Sequence, residues 1–501
     1  MWVRPRLPVG FAVLALAVSG LAVARADLTP ADVYLKAGDE LVRDWRYRDA
    51  LALYGQAERV ADDAQRLRAG IGITTSAVRI AEFDLAISKA SRLIQQYPDN
   101  LQALSAYGQA AWSAGLFAEA EDAFTRVVSR DPTDRMARLG MARVLSARNR
   151  LQEALDYTMS VVAAAPTDAD ALHLAGTIYR RLRQLDQSVA FFTRYYAQLP
   201  QRELDKRTWT QGEIAFLRSF GRRVPGELDA AALMSLHSIP IHIVNDKVII
   251  SGRVNGGESV DFILDTGAEQ TVISERTARR LGIAPISVTI SAGVGEIGLR
   301  GLLNAKIDSL QIGNLTIRNV PCLIKTPPLQ GLPVRESENF SPLALGLSAV
   351  VDYGRKELLL GRSLAAEPHQ VELPLWFARL ATVRGVVNRN RPASFIVDTG
   401  GEVVSISLET ARTLSPQPVG RRIPLQVFGT SGWDRDAFLM PGVHLSFDDL
   451  ALRESSIVVL NLRAPSVLLG YRVGGTVGHH LLSRYRVSID LERAVLGLSA
   501  N

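Results

Sequence analysis

A chain of 501 residues is long enough for several separate cores, and 47% hydrophobic with 22% charged residues is a globular composition, which excludes a disordered protein. The net charge of +6 arises from 57 basic residues interleaved with 51 acidic ones, without the block of Lys and Arg that a nucleic-acid footprint requires. Nucleic acid is therefore not an expected partner.

Arg4 and Arg6 precede an apolar run over residues 7–24, and Ala24-Arg25-Ala26 supplies the small-x-small pattern of signal-peptidase cleavage. The expectation is a signal peptide over 1–26 and an exported chain, periplasmic or secreted, that begins at Asp27. A run of about 18 apolar residues also suffices to cross a bilayer. An uncleaved anchor, and with it membrane contact, is the alternative.

Pro98, Pro132, Pro166 and Pro200 are spaced by 34 residues each. Between them the apolar positions follow helical spacing, with small residues where two helices would cross. In 101–134, Leu104, Tyr107, Gly108 and Ala111 share one face of a first helix, and Ala120, Phe124 and Val127 one face of a second. The block from Ala169 repeats this with Leu172, Gly176, Tyr179 and Phe192. The pattern resembles the tetratricopeptide repeat. About five units over 31–202 are implied, with a concave surface for a peptide or protein partner. The array is assigned to 27–202. Residues 203–231 read as a linker with one short helix around Thr210 to Phe220.

From about Leu233 the texture changes to short apolar runs broken by Gly, Asn and Pro, which predicts many short strands. Cys322 lies in one such run, 319–324. It is the only cysteine, which excludes an intramolecular disulfide, and it reads as a small buried hydrophobe. Two segments carry the chemistry: Phe262-Ile263-Leu264-Asp265-Thr266-Gly267-Ala268 and Phe395-Ile396-Val397-Asp398-Thr399-Gly400-Gly401. In each, an apolar strand delivers an Asp into a Gly-containing turn, followed by a β-branched stretch and a short helix. One Asp-Thr-Gly is weak evidence. Two copies in duplicated surroundings are strong evidence.

The paired motifs resemble the aspartic proteases, both the two-lobed pepsin type and the retropepsin type assembled from two identical subunits. The resemblance spans about 235–501. It implies a multidomain α + β chain: an all-α tetratricopeptide-repeat solenoid followed by an all-β two-lobed pepsin-like domain, with lobe one at 232–369 and lobe two at 370–501. Asp265 and Asp398 would be the catalytic pair. Two carboxylates sharing one proton cannot both ionise, so one acts as base on a water while the other polarises the scissile carbonyl. The resemblance further implies that Thr266 and Thr399 hydrogen-bond across the lobe interface, that Gly267 and Gly400 aim backbone N–H groups at the carboxylates, and that no metal or cofactor is needed.

Substrate-covering flaps are expected at 291–298, with Gly293 and Gly295, and at 428–433, with Gly429, Gly432 and Trp433. Plain hairpin loops are the alternative. Gly478, ahead of a short helix, matches the element that buttresses the active-site loop in these families. His479 and His480 lack metal-ligand spacing and read as structural or exposed. In lobe one, Phe340 is expected to fall where Gly478 stands, a departure from the family pattern. Neither Ala268 nor Gly401 carries a hydroxyl to donate to a carboxylate, which predicts activity at milder acidity than in pepsin-type enzymes. A catalytically dead peptide-binding module, an obligate dimer and a scaffold acting mainly through its array are the competing readings.

Overall fold

The computed structural model describes residues 28–295, 299–325, 338–414, 421–429 and 431–501. The signal-peptide expectation for 1–26 lies outside them, as do residues 296–298 of one expected flap and Thr430 of the other. Among the described residues, no helix is long and apolar enough to cross a membrane.

The helical part runs α1 (Pro30–Arg43), α2 (Tyr47–Val60), α3 (Asp63–Arg79), α4 (Phe83–Gln96), α5 (Leu101–Ser113), α6 (Phe117–Arg130), α7 (Arg135–Ala147), α8 (Leu151–Ala164), α9 (Ala169–Arg181), α10 (Leu185–Gln198) and α11 (Leu204–Arg218). The repeated turns set its period. Asn100, Asp134 and Asp168 each cap the next helix, their side chains accepting from the backbone N–H of Ala103, Ala137 and Ala171.

Small residues let the helices approach. A Cβ on Gly108 would lie 2.6 Å, and one on Gly140 2.4 Å, from the Phe124 ring, so that ring fills a slot between α5 and α7. Tyr54 occupies the same place between Gly38 and Gly72. This is why small residues on first helices alternate with large rings on second helices.

The connector differs from the expected short helix. α11 begins at Leu204 because it continues the stack, burying Phe216 and Leu217 beside Leu185 and Phe192 of α10. A Cβ on Gly212 would meet the Val288 carbonyl at 2.1 Å, so α11 also lies directly on the strand Ser287–Ala292.

In the β part, the strands Lys247–Val254, Ser259–Leu264, Glu338–Phe340, Thr271–Ser274, Leu315–Lys325 and Leu299–Ile312 pair in that order, and the last pairs back with the first. The strands Ala381–Val387, Arg391–Val397, Gly475–Val477, Ser405–Ser407, Leu450–Leu460 and Phe438–Phe447 repeat that order and close the same way. Parallel and antiparallel pairings also correspond one for one. Each ring is filled by alternate residues, Val248, Ile250 and Val254 in one and Leu445, Phe447 and Val459 in the other. Cys322 is fully buried in the first, and burial pushes its thiol pKa up.

A further run of strands joins the rings: His237–Pro240, Glu357–Gly361, Ser348–Asp352, Tyr485–Asp490, Val495–Ala500 and Val371–Phe377. At its centre Val350 pairs with Ser488, linking the strand after the first ring to the strand after the second.

The helices are docked on the β part. Phe117 sits against Tyr471 and Trp376, with ring centroids 5.0 and 5.7 Å apart, and Arg148 lies 4.2 Å over Trp376. Gly115, at the turn before α6, has φ +75° and faces the Ser394 hydroxyl and the Arg472 carbonyl.

Candidate active site

Asp265 and Asp398 stand at equivalent places in the two rings, each just past a strand with a buried apolar end, Leu264 or Val397. The backbone N–H of Asp265 donates to the Phe340 carbonyl at 2.9 Å and that of Asp398 to the Val477 carbonyl at 3.0 Å. Both turns are therefore tied to the neighbouring strand. This register corrects the expectation for Phe340: it is the counterpart of Val477, and Ser341 stands where Gly478 does in the other half. The Ser341 hydroxyl donates to the Ala268 carbonyl at 2.7 Å, so this position still braces the turn without a glycine.

The two turns meet through their threonines. The Thr266 N–H donates to Thr399 Oγ1 and the Thr399 N–H to Thr266 Oγ1, both at 3.1 Å. Each hydroxyl then donates onward at 2.7 Å, Thr266 to the Val397 carbonyl and Thr399 to the Leu264 carbonyl. Gly267 packs on the opposite carboxylate: a Cβ there would lie 2.5 Å from Asp398 Cγ, and one on Gly400 would lie 2.6 Å from Asp265 Cγ. Only glycine permits this mutual approach.

Burial, and the neighbouring Asp398 carboxylate, raise the pKa of Asp265. Burial likewise raises that of Asp398. The two titrate as one unit, so neither is assigned the proton.

Their surroundings differ. Asn339 Nδ2 donates to Asp265, and the Gly401 N–H donates to Asp398 Oδ1 at 2.9 Å. The absence of a hydroxyl at Ala268 and Gly401 thus does not leave the carboxylates without donors, because Asn339 and a backbone amide take that place. Lys247 Nζ holds the Gly400 carbonyl, pairs with Glu402 at 3.3 Å, and favours the charged form of both aspartates. Asn339 and Lys247 escaped the sequence reading because they carry no motif. Comparing Asn339-Phe340 with Thr476-Val477 across the duplication is the signal that would have exposed the first.

The two expected flaps touch one another. The Gly293 N–H donates to Ser431 Oγ at 3.0 Å, the Ser431 N–H donates to the Val294 carbonyl at 2.9 Å, and Gly429 packs on Val294. Gly295 has φ +137° and Gly432 φ +98°. Trp433 lies opposite Phe428 in the hairpin of Val427–Gly429 with Gly432–Asp434. His479 is buried with its ring 5.3 Å from Tyr353, and its backbone N–H donates to the Gly401 carbonyl at 2.8 Å. His480 faces Asp246 at 3.5 Å.

A cavity of about 950 Å³ reaches the pair from the Asp265 side. Asp265, Gly267, Ser291, Ala292 and Ser431 line it together with Gln109, Arg143 and Thr177 of α5, α7 and α9. A single space therefore connects the helical array to the Asp265 carboxylate.

Residues 250–332 match the family described as "gag-polyprotein putative aspartyl protease", and residues 75–135 and 111–178 match tetratricopeptide repeat families. Solved structures similar to this chain include the tetratricopeptide repeat protein TTC0263 of Thermus thermophilus, at 17% identity over 37% of this chain and 98% of that one, with a TM-score of 0.32. Another is YrrB, a "TPR protein with an unusual peptide-binding site", at 21% identity over 35% and 89%, with a TM-score of 0.23. A tetratricopeptide repeat protein from Parabacteroides merdae follows at 16% identity over 39% and 75%, with a TM-score of 0.29. No curated protein matches the chain. The chain thus carries tetratricopeptide repeats over 75–178 and a segment of the retropepsin-like aspartyl protease family over 250–332.

Proposed function

We propose that the chain is an aspartic endopeptidase, with the two rings as lobes of one pepsin-like domain and Asp265 and Asp398 as its catalytic pair. The observation that carries this reading is the reciprocal Thr266–Thr399 bonding, which holds the two carboxylates together in a buried setting that favours a shared proton. In the reaction, a water held by the pair attacks the scissile carbonyl carbon and gives its proton to the ionised carboxylate. The protonated one donates to the carbonyl oxygen, and collapse of the tetrahedral intermediate transfers a proton to the departing nitrogen.

Both motifs lie in one chain, which supports a self-contained site rather than one shared between two copies. Register and bonding of the first half match the second at Phe340 and Val477, which favours activity over a dead binding module. The repeats supply a surface for a protein or peptide partner. The basic and apolar start of the chain supports export to a periplasm or beyond, and amino-terminal sequencing of exported protein starting at Asp27 would verify it.

The activity is tested by incubating the full chain with a diverse peptide library across mildly acidic to neutral pH and identifying cleaved bonds by mass spectrometry. New termini within peptides are expected. A library left intact while its peptides still bind would move the assignment to a binding module.

A further inference from the structure

The inner face of the array carries charges that the proposed chemistry does not use. Gln109, Arg143 and Thr177 occupy one position in successive units, 34 residues apart, and all line the cavity that contains Asp265. The charges nearest Arg143 bond to one another. Arg79 Nη1 donates to Asp170 Oδ1 at 2.8 Å, its Nη2 donates to Asp170 Oδ2, and Arg135 Nη2 reaches the same oxygen at 3.2 Å. Asp168 accepts from Arg135 Nε and from the Ala171 N–H at 3.0 Å. Deeper in, Arg180 pairs with Glu213 at 3.0 Å. Burial among Phe192, Tyr195 and Trp209 lowers the His173 pKa to about 4, so this ring adds no charge near neutrality.

The main charged neighbours of Arg143 are thus Asp170 and Asp168, already held by Arg79 and Arg135. Arg143 has no hydrogen bond or ion pair among the described residues, and desolvation lowers its pKa. Arg143 is half-buried and lines the cavity, so its guanidinium, which stays charged, is open to whatever enters that space. Its planar donors suit a carboxylate held by two parallel bonds.

Resting on the endopeptidase reading, we propose that Arg143 is a specificity-determining residue of that same site, binding a carboxylate of the substrate so that the repeat array selects acidic peptides on the Asp265 side. The carboxylate comes from an Asp or Glu side chain or from the chain terminus. The array is then one wall of the substrate site, not a separate recognition arm.

The test is binding, read without turnover, by fluorescence polarisation with the full chain carrying Asp265→Asn. The probes are labelled peptide pools holding a fixed Glu or a Gln in its place, each with a free or an amidated terminus. Glu pools are expected to bind about tenfold or more tightly than Gln pools, the size of a hydrogen bond to a charged group. If the terminus is the anchor, the preference follows amidation instead.

Adding Arg143→Gln should abolish the preference while leaving binding of uncharged pools in place, which shows that the cavity persists. Arg143→Lys, which keeps the charge, should retain part of it. Equal binding of all pools by the parent, or a preference that survives Arg143→Gln, would overturn the proposal. A chain that shows the Arg143-dependent preference but cleaves nothing when Asp265 is present would refute the endopeptidase reading alone.

Discussion

Thr266 and Thr399 each donate a backbone N–H to the other's hydroxyl at 3.1 Å, and each hydroxyl in turn donates to a carbonyl of the opposite strand. Both residues are buried. Replacing Thr266 with Val keeps the shape but leaves the Thr399 N–H and the Val397 carbonyl unpaired. The expected loss is about 1–3 kcal/mol for each orphaned group, measured by urea unfolding. Thr266→Ser, which keeps the hydroxyl, should lose much less. Equal stability of the Val and Ser variants would show that the bonds contribute nothing.

The raised aspartates make stability depend on pH with a definite sign. Burial lifts both above the ordinary aspartate range near about 3.9. The folded chain therefore keeps a proton that the unfolded chain releases. The stability this contributes is complete below about 3.9 and is lost as pH rises through the raised folded values. The melting temperature of the wild type relative to Asp398→Asn should fall from about pH 4 towards neutrality. A difference that stays constant would contradict raised values. The same shift places the pH optimum for cleavage above about 4, and an optimum below about 3 would count against it.

Gly115 tests the docking of the array. Its φ of +75° disfavours any residue with a side chain, and a Cβ would lie 2.5 Å from Ser394 Oγ and 2.6 Å from the Arg472 carbonyl oxygen. The left-handed conformation alone costs Ala roughly 1–2 kcal/mol. Gly115→Ala should raise amide hydrogen exchange along 113–118 and 470–474 and leave α1 and α2 unchanged. Uniform exchange across the chain would mean that the seam is not what the substitution weakens.

The repeat period was legible because each unit restates the same local physics: a proline, a capping Asn or Asp, then a glycine facing a ring. The two Asp-Thr-Gly turns were legible for the same reason, since duplication makes a short motif significant. What could not be read depends on long-range pairing. Asn339 reaches Asp265 across 74 residues and Lys247 reaches Gly400 across 153, with no local pattern to mark either. Phe340 stands one residue from the expected place because strand register aligns it with Val477 rather than with Gly478. The cavity shared by Arg143 and Asp265 was likewise hidden, because Trp112, Phe117, Trp376 and Tyr471, which pack the array against the rings, carry no motif that marks them in sequence.

The most direct test of a single shared catalytic site is peptide cleavage by Asp265→Asn and by Asp398→Asn, each measured beside the wild type. A pair that acts as one unit predicts loss of about a thousandfold or more in kcat for either substitution alone, with no further loss in the double variant. Substantial activity surviving in one of the single variants would contradict it and place the chemistry on the other aspartate with a different partner.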